Sequence, residues 1–533
     1  MDKMLDSLTE RLKALPGQHI TCYEGGALKV RAFPELGRDV EKLVRHLQTG
    51  GVTRGQRIGL LANNCYEWLV YDLALLHLGV IAVPLPVDSF GQTPRAEVAE
   101  RYRLALLLVE PDAPAPAEHW VMRMRLQDPD PVRLRDEISA QPDPDKDLFS
   151  LVFSSGTSGR LKCLKISRRG TQALIASFGR DFQFRADDLI LAFLPLSSFQ
   201  QRWMLYTAIH YGFNLGLTVP ARLFHALKDM RPTVLGAAPL LYETVEGRYL
   251  TLEDRQRRVL DVLRAFLLKL PKSWQLRAGR ILFKPFHDPF GGRIRLAIAG
   301  AAPIRYTTLK FFESIGLTLY SAYGLTEAGF LSWNVPGRIK LGSVGKEVYP
   351  GTLELAEDGE IIFNYPDLLS YGYLDVDPEE ERKTFLGKGR IATGDIGRVD
   401  ADGYFYIEGR KKDIIITQGG VKLQPEDIER AIEREADVGR AVVFGGGDLP
   451  CVMALVSLRS GDSQRLRRRI QDHIDQVNRT LAPPARIGKV VFTGQQFTME
   501  SGFLNRNLKV DRNKVFGRFQ ADFMNMTTTG DAA

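Results

Sequence analysis

At 533 residues the chain is too long for one hydrophobic core, so we expect two or more domains. Its 44% hydrophobic and 25% charged content is typical of globular proteins and excludes a disordered or fibrous chain. The 71 basic and 64 acidic residues give a net charge of +7, which favours anionic ligands or an anionic membrane surface. The excess is modest for this length, and we expect no nucleic-acid partner.

Targeting and redox signals point to the cytoplasm. Residues 1–17 lack the apolar core of a signal peptide. The apolar stretch 69–86 is interrupted by Asp72 and His77 and does not predict a membrane-spanning helix. The four cysteines are scattered, without metal-ligand spacing or a disulfide framework. We therefore expect a cytoplasmic protein, at most peripheral at the inner face of a membrane.

The first segment with regular periodicity covers residues 35–110. Helix-period stretches at 38–47 and 67–78 alternate with apolar strands at 57–62 and 80–83, which predicts a layered α/β unit with parallel strands. Residues 111–147, rich in Pro, Asp and Arg, predict a surface connection with one short strand.

A candidate phosphate loop follows at residues 151–165. An apolar strand runs into small and hydroxylated residues that can present backbone N–H groups to an anion, and a lysine adds positive charge. The candidate residues are Ser154, Ser155, Gly156, Thr157, Ser158, Gly159 and Lys162. The segment lacks the Gly-Lys-Ser/Thr of a Walker loop. A simple strand-to-strand turn is an equally good interpretation of this segment alone.

Residues 170–335 predict a second α/β unit, with apolar strands at 189–194, 233–237 and 295–299. Gly300, Ala301 and Ala302 follow the last of these and are small enough for a ligand to touch backbone. Tyr323-Gly-Leu-Thr-Glu327 follows a strand-like segment, 318–321, and suits a nucleotide site: the ring can stack on a base, the hydroxyl of Thr326 can bind a phosphate oxygen, and the carboxylate of Glu327 can hold Mg²⁺. A tight turn and a capped loop are the alternatives.

Short strands with Asp-Gly turns predict a small β-rich subdomain at about 340–409. Asp395 within this region and Arg410 directly after it can bind two ribose hydroxyls as an acceptor and a donor. After residue 410 the pattern is helix, strand, strand, helix, strand, typical of a compact α+β domain. Lys509 stands in a basic segment that alone suggests a solvated tail, and residues 526–533 predict disorder.

Taken in order, these five motifs resemble the adenylate-forming superfamily of acyl-CoA synthetases, luciferases and adenylation domains. The resemblance covers about residues 30–515. Three features are most similar to long-chain fatty acyl-CoA synthetases: Leu194-Pro-Leu-Ser197 with Arg202, the basic helical insertion at 242–290, and the Leu-Lys-Val-Asp-Arg sequence around Lys509.

The resemblance implies an α/β fold with a large N-terminal domain (1–410) of two doubly wound sheets plus the β-subdomain, and a small mobile α+β C-terminal domain (411–525). It also implies residue roles. Ser154–Gly159 and Lys162 would bind the β- and γ-phosphates, Gly300–Ala302 and Tyr323-Gly324 the adenine, Asp395 and Arg410 the ribose, Thr326 the α-phosphate or substrate carboxylate, and Glu327 with Thr157 the Mg²⁺. Asp413 would be the hinge, Gly419-Gly420 the thiol tunnel and Lys509 the adenylation lysine.

The function so implied is ATP-dependent activation of a long- or medium-chain fatty acid to acyl-AMP, with pyrophosphate release, then thioester formation with CoA. An acyl-AMP ligase loading the phosphopantetheine of an acyl carrier protein is the alternative, and a non-catalytic nucleotide-binding relative is a third. Two departures from the family pattern bear on the sites. The phosphate loop ends Leu161-Lys162-Cys163, and Ser198 replaces a histidine that shapes the acyl pocket.

The insertion carries ten basic residues against four acidic ones between residues 248 and 288. Apolar residues fall at helical spacing within it: Leu260, Leu263, Phe266, Leu267 and Leu270. We favour the interpretation that this stripe packs on the N-terminal core and that the charges are solvated. The alternative is peripheral contact with an anionic bilayer through 248–288.

Overall fold

The computed structural model describes residues 4–135, 143, 145–155, 161–417, 422–435, 437–446, 449–459, 461–498, 501–504 and 510–524. Several residues singled out above lie outside these ranges: Gly156, Thr157, Ser158, Gly159, Gly419, Gly420, Lys509 and the segment 526–533. The side chain of Ser155 lies outside the description as well.

The first third of the chain alternates helices and strands, which confirms the prediction for 35–110. The elements are α1 (Leu8–Lys13), β1 (His19–Glu24), β2 (Ala27–Ala32), α2 (Phe33–Thr49), β3 (Arg57–Leu61), α3 (Tyr66–Leu78), β4 (Ile81–Pro84), α4 (Val87–Phe90), α5 (Arg95–Tyr102), β5 (Leu104–Val109), β6 (Val121–Arg123), β7 (Leu148–Ser155), β8 (Leu161–Ser167) and α6 (Arg168–Phe182). The apolar helix α3 is buried on nearly every side and ends at Gly79, whose φ of 69° suits glycine.

The middle of the chain continues this alternation. Its elements are β9 (Leu189–Ala192), α7 (Arg202–Tyr211), β10 (Asn214–Leu217), α8 (Leu223–Met230), β11 (Val234–Ala237), α9 (Pro239–Leu250), α10 (Asp254–Leu268), α11 (Lys272–Leu282), α12 (Lys284–His287), β12 (Leu296–Ala299), α13 (Tyr306–Ser314), β13 (Leu319–Leu325) and β14 (Gly329–Trp333). The expectation that Tyr323 follows a strand was wrong. Antiparallel pairing with β14 extends β13 to Leu325, so Tyr323 and Gly324 lie within the strand.

The following region is rich in short strands, as predicted. It contains β15 (Lys346–Glu347), β16 (Leu353–Leu355), β17 (Glu360–Asn364), β18 (Ser370–Leu374), α14 (Pro378–Arg382), β19 (Phe385–Gly387), β20 (Arg390–Val399) and β21 (Phe405–Arg410). Gly359 and Gly403 of the two Asp-Gly turns have φ of 83° and 79°, which explains the preference for glycine there.

The last part contains the predicted helix, strand, strand, helix and strand in that order. Its elements are β22 (Ile415–Ile416), β23 (Lys422–Leu423), α15 (Pro425–Ile432), β24 (Val438–Phe444), β25 (Val452–Leu458), α16 (Gln464–Thr480), β26 (Ile487–Thr493) and α17 (Arg512–Met524). The two-residue strands β22 and β23 and the final helix α17 were not predicted. A pair of two-residue strands is too short to show a period of two.

Two large sheets form the body of the molecule and confirm the predicted fold class. The first has nine strands in the order β15-β14-β13-β12-β11-β9-β10-β1-β2, and its strands from β13 to β1 pair in parallel. The second has seven in the order β18-β8-β7-β4-β3-β5-β6, with β8 and β18 antiparallel at one edge. Smaller sheets are built from β16, β17 and β19–β21, from β22–β23 and from β24–β26.

The largest apolar core lies between the two large sheets. It includes Leu60 and Val152 from the seven-stranded sheet and Ile190 and Leu215 from the nine-stranded sheet. The small C-terminal domain has its own core, which includes Ile470 of α16. Separate cores are what an independently moving small domain requires.

A charged group is buried within the large core. Arg202 of α7, with no exposed surface, forms an ion pair with Asp72 of α3 and donates from Nη1 to Oγ of Ser150 at 2.7 Å. Tyr206 donates its hydroxyl to Asp72 and accepts from Nε of Arg202 at 2.8 Å. Arg202, which contributed to the resemblance, therefore ties two helices to strand β7.

The helical insertion forms α10, α11 and α12. Leu267 is fully buried, and Leu260, Leu263 and Leu270 pack against the same core, as the favoured interpretation predicted. Phe266 contradicts it, because 55% of its surface is exposed. Among the described helices, none combines the length and apolar character needed to cross a bilayer.

Candidate active site

The carboxyl ends of the parallel strands in the nine-stranded sheet share one edge, and Gly300, Ala301 and Ala302 follow β12 there. Ala301 has a φ of 70°, which residues with a Cβ seldom adopt. A Cβ on Gly300 would lie 3.3 Å from the carbonyl oxygen of Ala322 on β13. The chain therefore presents half-buried main chain where open α/β sheets bind ligands.

Tyr323 occupies the adjacent strand in a tight hairpin. A Cβ on Gly324 would lie 2.2 Å from the carbonyl oxygen of Gly329, so only glycine fits there. Tyr323 is 9% exposed, and its hydroxyl donates to Oδ2 of Asp395 at 2.7 Å. Burial raises the pKa of Tyr323 well above its usual value, and the Asp395 carboxylate adds to this, so the hydroxyl remains a donor. The enclosed ring leaves little surface for stacking on a base.

Asp395 and Arg410 lie directly opposite one another on β20 and β21. Nε of Arg410 is 2.6 Å from Oδ1 of Asp395. The Asp395 side chain is nearly buried, whereas 35% of the Arg410 side chain is exposed. The structure therefore gathers Tyr323, Asp395 and Arg410 into one hydrogen-bonded trio whose guanidinium remains accessible.

Thr326 and Glu327 lie in the turn between β13 and β14. The hydroxyl of Tyr373 on β18 donates to Oε1 of Glu327 at 3.1 Å. The carbonyl oxygen of Glu327 accepts from the backbone N–H of Ser370 at 3.1 Å. Both contacts fix the turn against the edge of the seven-stranded sheet, so the Glu327 carboxylate is held between the two large sheets.

Lys162 of β8 reaches the same tyrosine. Its Nζ lies 4.9 Å from the centre of the Tyr373 ring and 2.6 Å from Oε1 of Glu380 on α14. Burial raises the pKa of Tyr373, and the Glu327 carboxylate adds to this. Tyr373 therefore connects two predicted site residues, Lys162 through its ring and Glu327 through its hydroxyl.

The candidate phosphate loop connects two paired strands. β7 and β8 are antiparallel, with half-buried Ser154 opposite Lys162. The connection 156–160, with its candidate residues, lies outside the described residues. The strand-to-strand interpretation of this segment was therefore right about topology, and a phosphate site at the end of such a hairpin is compatible with it.

The hinge candidate Asp413 ends a short 3₁₀ helix, Lys411–Asp413, between β21 and β22. The neighbouring Lys411 binds Oδ2 of Asp358 and Oε2 of Glu360, each at 2.7 Å, which fixes it to the β-subdomain. Asp413 therefore lies in the short link between β21 of the β-rich region and β22, and its role as a hinge stays a prediction.

Two further candidates are bracketed by paired residues. Ile415 and Ile416 of β22 pair with Leu423 and Lys422 of β23, on either side of the segment that contains Gly419 and Gly420. Leu504 and Val510 form an antiparallel bridge on either side of the segment that contains Lys509.

Ser198, the acyl-pocket candidate, ends a short 3₁₀ helix, Leu196–Ser198. Its hydroxyl donates to the carbonyl oxygen of Pro195 at 2.8 Å. Buried Gln201 holds the preceding loop, because its Oε1 accepts from the N–H groups of Phe193 and Leu194 at 2.7 Å each. Ser198 thus lies in a fixed loop.

Within the described ranges, no group of three His, Cys, Asp or Glu side chains is placed to hold a metal ion. Mg²⁺ commonly uses one or two carboxylates together with substrate phosphates. The Glu327 carboxylate, which Tyr373 connects to Lys162, is a donor that fits such a site.

Sequence reasoning missed Tyr373 and Glu380. Tyr373 is one of several tyrosines in a β-rich region, and Glu380 lies in a run of acids that resembles a solvated helix start. No spacing in the sequence links either residue to Lys162. Only the pairing of β18 with β8 brings them together.

Comparison with known proteins places this geometry in context. A family profile described as "AMP-binding enzyme" matches residues 15–360, and one described as "AMP-binding enzyme C-terminal domain" matches 412–522. The chain is 27% identical to "Long-chain-fatty-acid--CoA ligase FadD15" of Mycobacterium bovis, covering 89% of this chain and 88% of the relative. It is 25% identical to "Long-chain-fatty-acid--CoA ligase 5" of Mus musculus, covering 89% and 80%.

Solved structures share the fold. The anthranilate CoA ligase AuaEII in complex with anthranoyl-AMP superposes with a TM-score of 0.73 at 20% identity, covering 97% of this chain and 96% of that one. ATP-bound MatB from Rhodopseudomonas palustris gives a TM-score of 0.72 at 20% identity, covering 97% and 99%.

Proposed function

The chain belongs to the AMP-binding enzyme family, and from that premise we propose that it is a fatty acid–CoA ligase. It activates a long- or medium-chain fatty acid with ATP to acyl-AMP and pyrophosphate, then transfers the acyl group to the thiol of CoA. The names of the relatives in Mycobacterium bovis and Mus musculus support the substrate class.

One observation carries the proposal. The segment from Tyr323 to Glu327 is the junction of two clusters that come from distant parts of the chain. Its first residue binds Asp395, and its last accepts from Tyr373, which contacts Lys162. An acceptor and a donor for ribose hydroxyls, Asp395 and Arg410, are thus linked through this segment to a cation and a carboxylate. That second pair, Lys162 and Glu327, suits a polyphosphate with its metal ion.

The first half-reaction needs little covalent help from the protein. A carboxylate oxygen of the fatty acid attacks the α-phosphorus of ATP, the bond to the bridging oxygen breaks, and pyrophosphate leaves. Catalysis then rests on in-line positioning and on stabilising the negative charge at phosphorus and pyrophosphate. We assign Lys162 and the backbone N–H groups of residues 154–159 to binding of the β- and γ-phosphates. Lys509 neutralises the negative charge at the reacting phosphoryl group.

The nucleoside is held by residues whose chemistry matches it. Asp395 accepts from a ribose hydroxyl, and the accessible Arg410 donates to one. The main chain of Gly300, Ala301 and Ala302 lines the pocket for the adenine. Thr326 donates to an α-phosphate or carboxylate oxygen. We assign Tyr323 to holding Asp395 in place, since its hydroxyl is committed there.

Glu327, with the hydroxyl of Thr157, would hold Mg²⁺ together with phosphate oxygens. When bound, the ion supplies positive charge that neutralises the polyphosphate. Tyr373 contributes by fixing the Glu327 carboxylate through its hydroxyl.

In the second half-reaction, the thiol sulfur attacks the carbonyl carbon of the adenylate and AMP leaves. We assign Asp413 as the hinge about which the C-terminal domain turns between the two half-reactions, exchanging Lys509 for Gly419-Gly420 beside the thiol. The short link between β21 and β22 supports a hinge at this point.

CoA is the proposed acceptor, and an acyl carrier protein is the alternative, since both present the same phosphopantetheine arm. A peripheral membrane contact belongs to the same proposal, because long-chain acids partition into bilayers. The test is mass spectrometry of the products after incubation with ATP, Mg²⁺ and acids from acetate to oleate, with CoA or with a loaded carrier protein. Acyl-CoA from long- or medium-chain acids is expected. Product only on the carrier protein would support the alternative acceptor, and product only from acetate would refute the substrate class.

A further inference from the structure

The surface of the helical insertion carries an unusual share of exposed apolar side chains. Of the seventeen large apolar side chains that are exposed among the described residues, six lie between residues 259 and 281. Five of them define what we call the outer face: Val259 (57% exposed), Val262 (70%), Phe266 (55%), Trp274 (61%) and Ile281 (78%). Scattered exposed apolar residues are ordinary, but a local concentration of this kind marks an interaction site.

Helical geometry groups these residues on each helix. At 100° per residue, Val259, Val262 and Phe266 fall within about 60° of one another around α10. Trp274 and Ile281 fall within about 20° of one another around α11. The two helices are consecutive and pack against each other. Each helix therefore presents one apolar stripe to solvent.

The outer face is separate from the stripe that holds the helices in place. Leu260, Leu263 and Leu267 face the core, and Arg264 donates to Oγ of Ser314 at 2.6 Å and to the hydroxyl of Tyr249 at 2.8 Å. These contacts anchor α10. Val259, Val262 and Phe266 thus take no part in the apolar core and are available to a partner.

Positive charge surrounds the outer face. Four exposed cations of α10, α11 and the link between them have no ion pair among the described residues: Arg255, Arg258, Lys269 and Arg277. Three of the four acids of the insertion are neutralised within it, because Asp254 pairs with Arg257, Asp261 with Arg264 and Asp288 with Lys284, which leaves Glu253 as the one acid of the insertion without an ion pair among the described residues. Helical spacing places Arg255 and Lys269 on the same side of α10 as Phe266. The apolar stripe therefore has a cationic border.

We propose that the outer face is a docking surface for an anionic bilayer. Val262, Phe266, Trp274 and Ile281 insert into the boundary between headgroups and acyl chains, and the four free cations bind lipid phosphates. Apolar residues framed by Lys and Arg are typical of interfacial helices, and tryptophan favours that boundary. The charge complementarity selects an anionic membrane over a second copy of the same cationic face, which would repel its partner.

The role of this docking surface rests on the proposed function, because the surface would bring the enzyme to a membrane in which its fatty acid substrate is dissolved. Vesicle binding is measured without substrates, so it can fail while acyl-CoA formation succeeds, or the reverse.

The test is co-sedimentation of the full chain with phosphatidylcholine vesicles, with and without phosphatidylglycerol, at low and high salt. One variant replaces the four free cations with Gln, and a second carries Val262→Ser, Phe266→Ser and Ile281→Ser. A matched control removes four exposed cations elsewhere: Arg434→Gln, Arg465→Gln, Arg468→Gln and Arg479→Gln. The charge on the insertion is expected to contribute on the order of fivefold in affinity per cation at low salt.

The expected result is binding to anionic vesicles that weakens with salt, is lost in both insertion variants and persists in the control. Trp274 fluorescence should shift to the blue on binding, with the shift absent in Trp274→Phe. Equal binding by all three variants would overturn the proposal, as would no binding by the wild type. A dimer that forms through the outer face would also overturn it. Sedimentation velocity would then show a dimer for the wild type and a monomer only for the variant with Val262→Ser, Phe266→Ser and Ile281→Ser.

Discussion

Arg440 of the C-terminal domain donates from Nη2 to Oε2 of Glu243 on α9 at 2.9 Å, which joins the two domains through a pair with little exposure. The other oxygen of Glu243 lies 3.4 Å from Nε of Arg305, and Arg440 also faces Glu433 at 3.7 Å. The contact is therefore a small network of charges between the domains.

This network is incompletely hydrogen-bonded. Among the described residues, Oε1 of Glu243, Nε of Arg305 and Nε of Arg459 are buried without a hydrogen-bond partner. Buried polar groups that lack a hydrogen bond reduce the stability of a contact. Such a contact suits domains that must separate and dock again in each catalytic cycle.

Removing the arginine should loosen the domain contact. Truncating one partner of a buried charge pair at an interface costs about 2–5 kcal/mol. We expect Arg440→Gln to increase hydrogen exchange in β22 and β23, next to the hinge, while exposed Arg434→Gln leaves it unchanged. The exchanged pair Arg440→Glu with Glu243→Arg should recover part of the protection. Unchanged exchange in Arg440→Gln would show that the pair does not hold the domains together.

Glu380 should compete with ATP for Lys162. The carboxylate is 49% exposed, and exposed ion pairs are weak, so Glu380→Gln should lower the KM for ATP by no more than about fivefold. Its exposed neighbour Glu379 provides the control, and Glu379→Gln should leave KM unchanged. A higher KM for ATP in Glu380→Gln would mean that Glu380 assists binding of the nucleotide.

Tyr373 should act by positioning Glu327. Hydrogen bonds to charged groups contribute about 1.5–3 kcal/mol, so Tyr373→Phe should lower kcat about 10- to 100-fold and raise the Mg²⁺ concentration at half-maximal rate. Tyr371→Phe is the matched control, because its hydroxyl binds Asp145 instead. A lower kcat with an unchanged Mg²⁺ requirement would argue against this role for Tyr373.

The buried pair of Arg202 and Asp72 should matter for stability. Leaving one member alone in the core costs about 3–5 kcal/mol, so Arg202→Met should lower the urea midpoint of the N-terminal domain markedly. Replacing both, with Asp72→Leu added, should restore much of the loss. The half-exposed pair of Arg95 and Glu118 serves as the control, with Arg95→Gln costing at most about 1 kcal/mol. Equal midpoints for the two single variants would contradict this account.

The alternation of periods predicted the α/β layers, and apolar runs predicted β9, β11 and β12 within one or two residues. Those elements are determined by burial, which a sequence displays directly. The end of β13 was misplaced because its last residues are held by pairing with β14, a partner that no local pattern reveals.

The candidate site divides in the same way. Asp395 and Arg410 were predicted to act together, and they lie opposite one another on paired strands. Tyr373 could not be predicted, because its contacts depend on a strand that joins the sheet edge from about two hundred residues away in the chain. Phe266 was assigned to the core from its spacing. Helical spacing shows which residues share one side of α10 but not how much of that side is buried, and Phe266 lies just outside the buried part.

The central claim is that this chain forms an acyl-adenylate, and ATP–pyrophosphate exchange in the presence of Mg²⁺ tests it most directly. Exchange should depend on a long- or medium-chain acid and fall on the order of 100- to 1000-fold in Lys509→Ala. The same variant should still make thioester from synthetic acyl-AMP and CoA. The absence of exchange with every acid from acetate to oleate, in folded protein, would contradict the account.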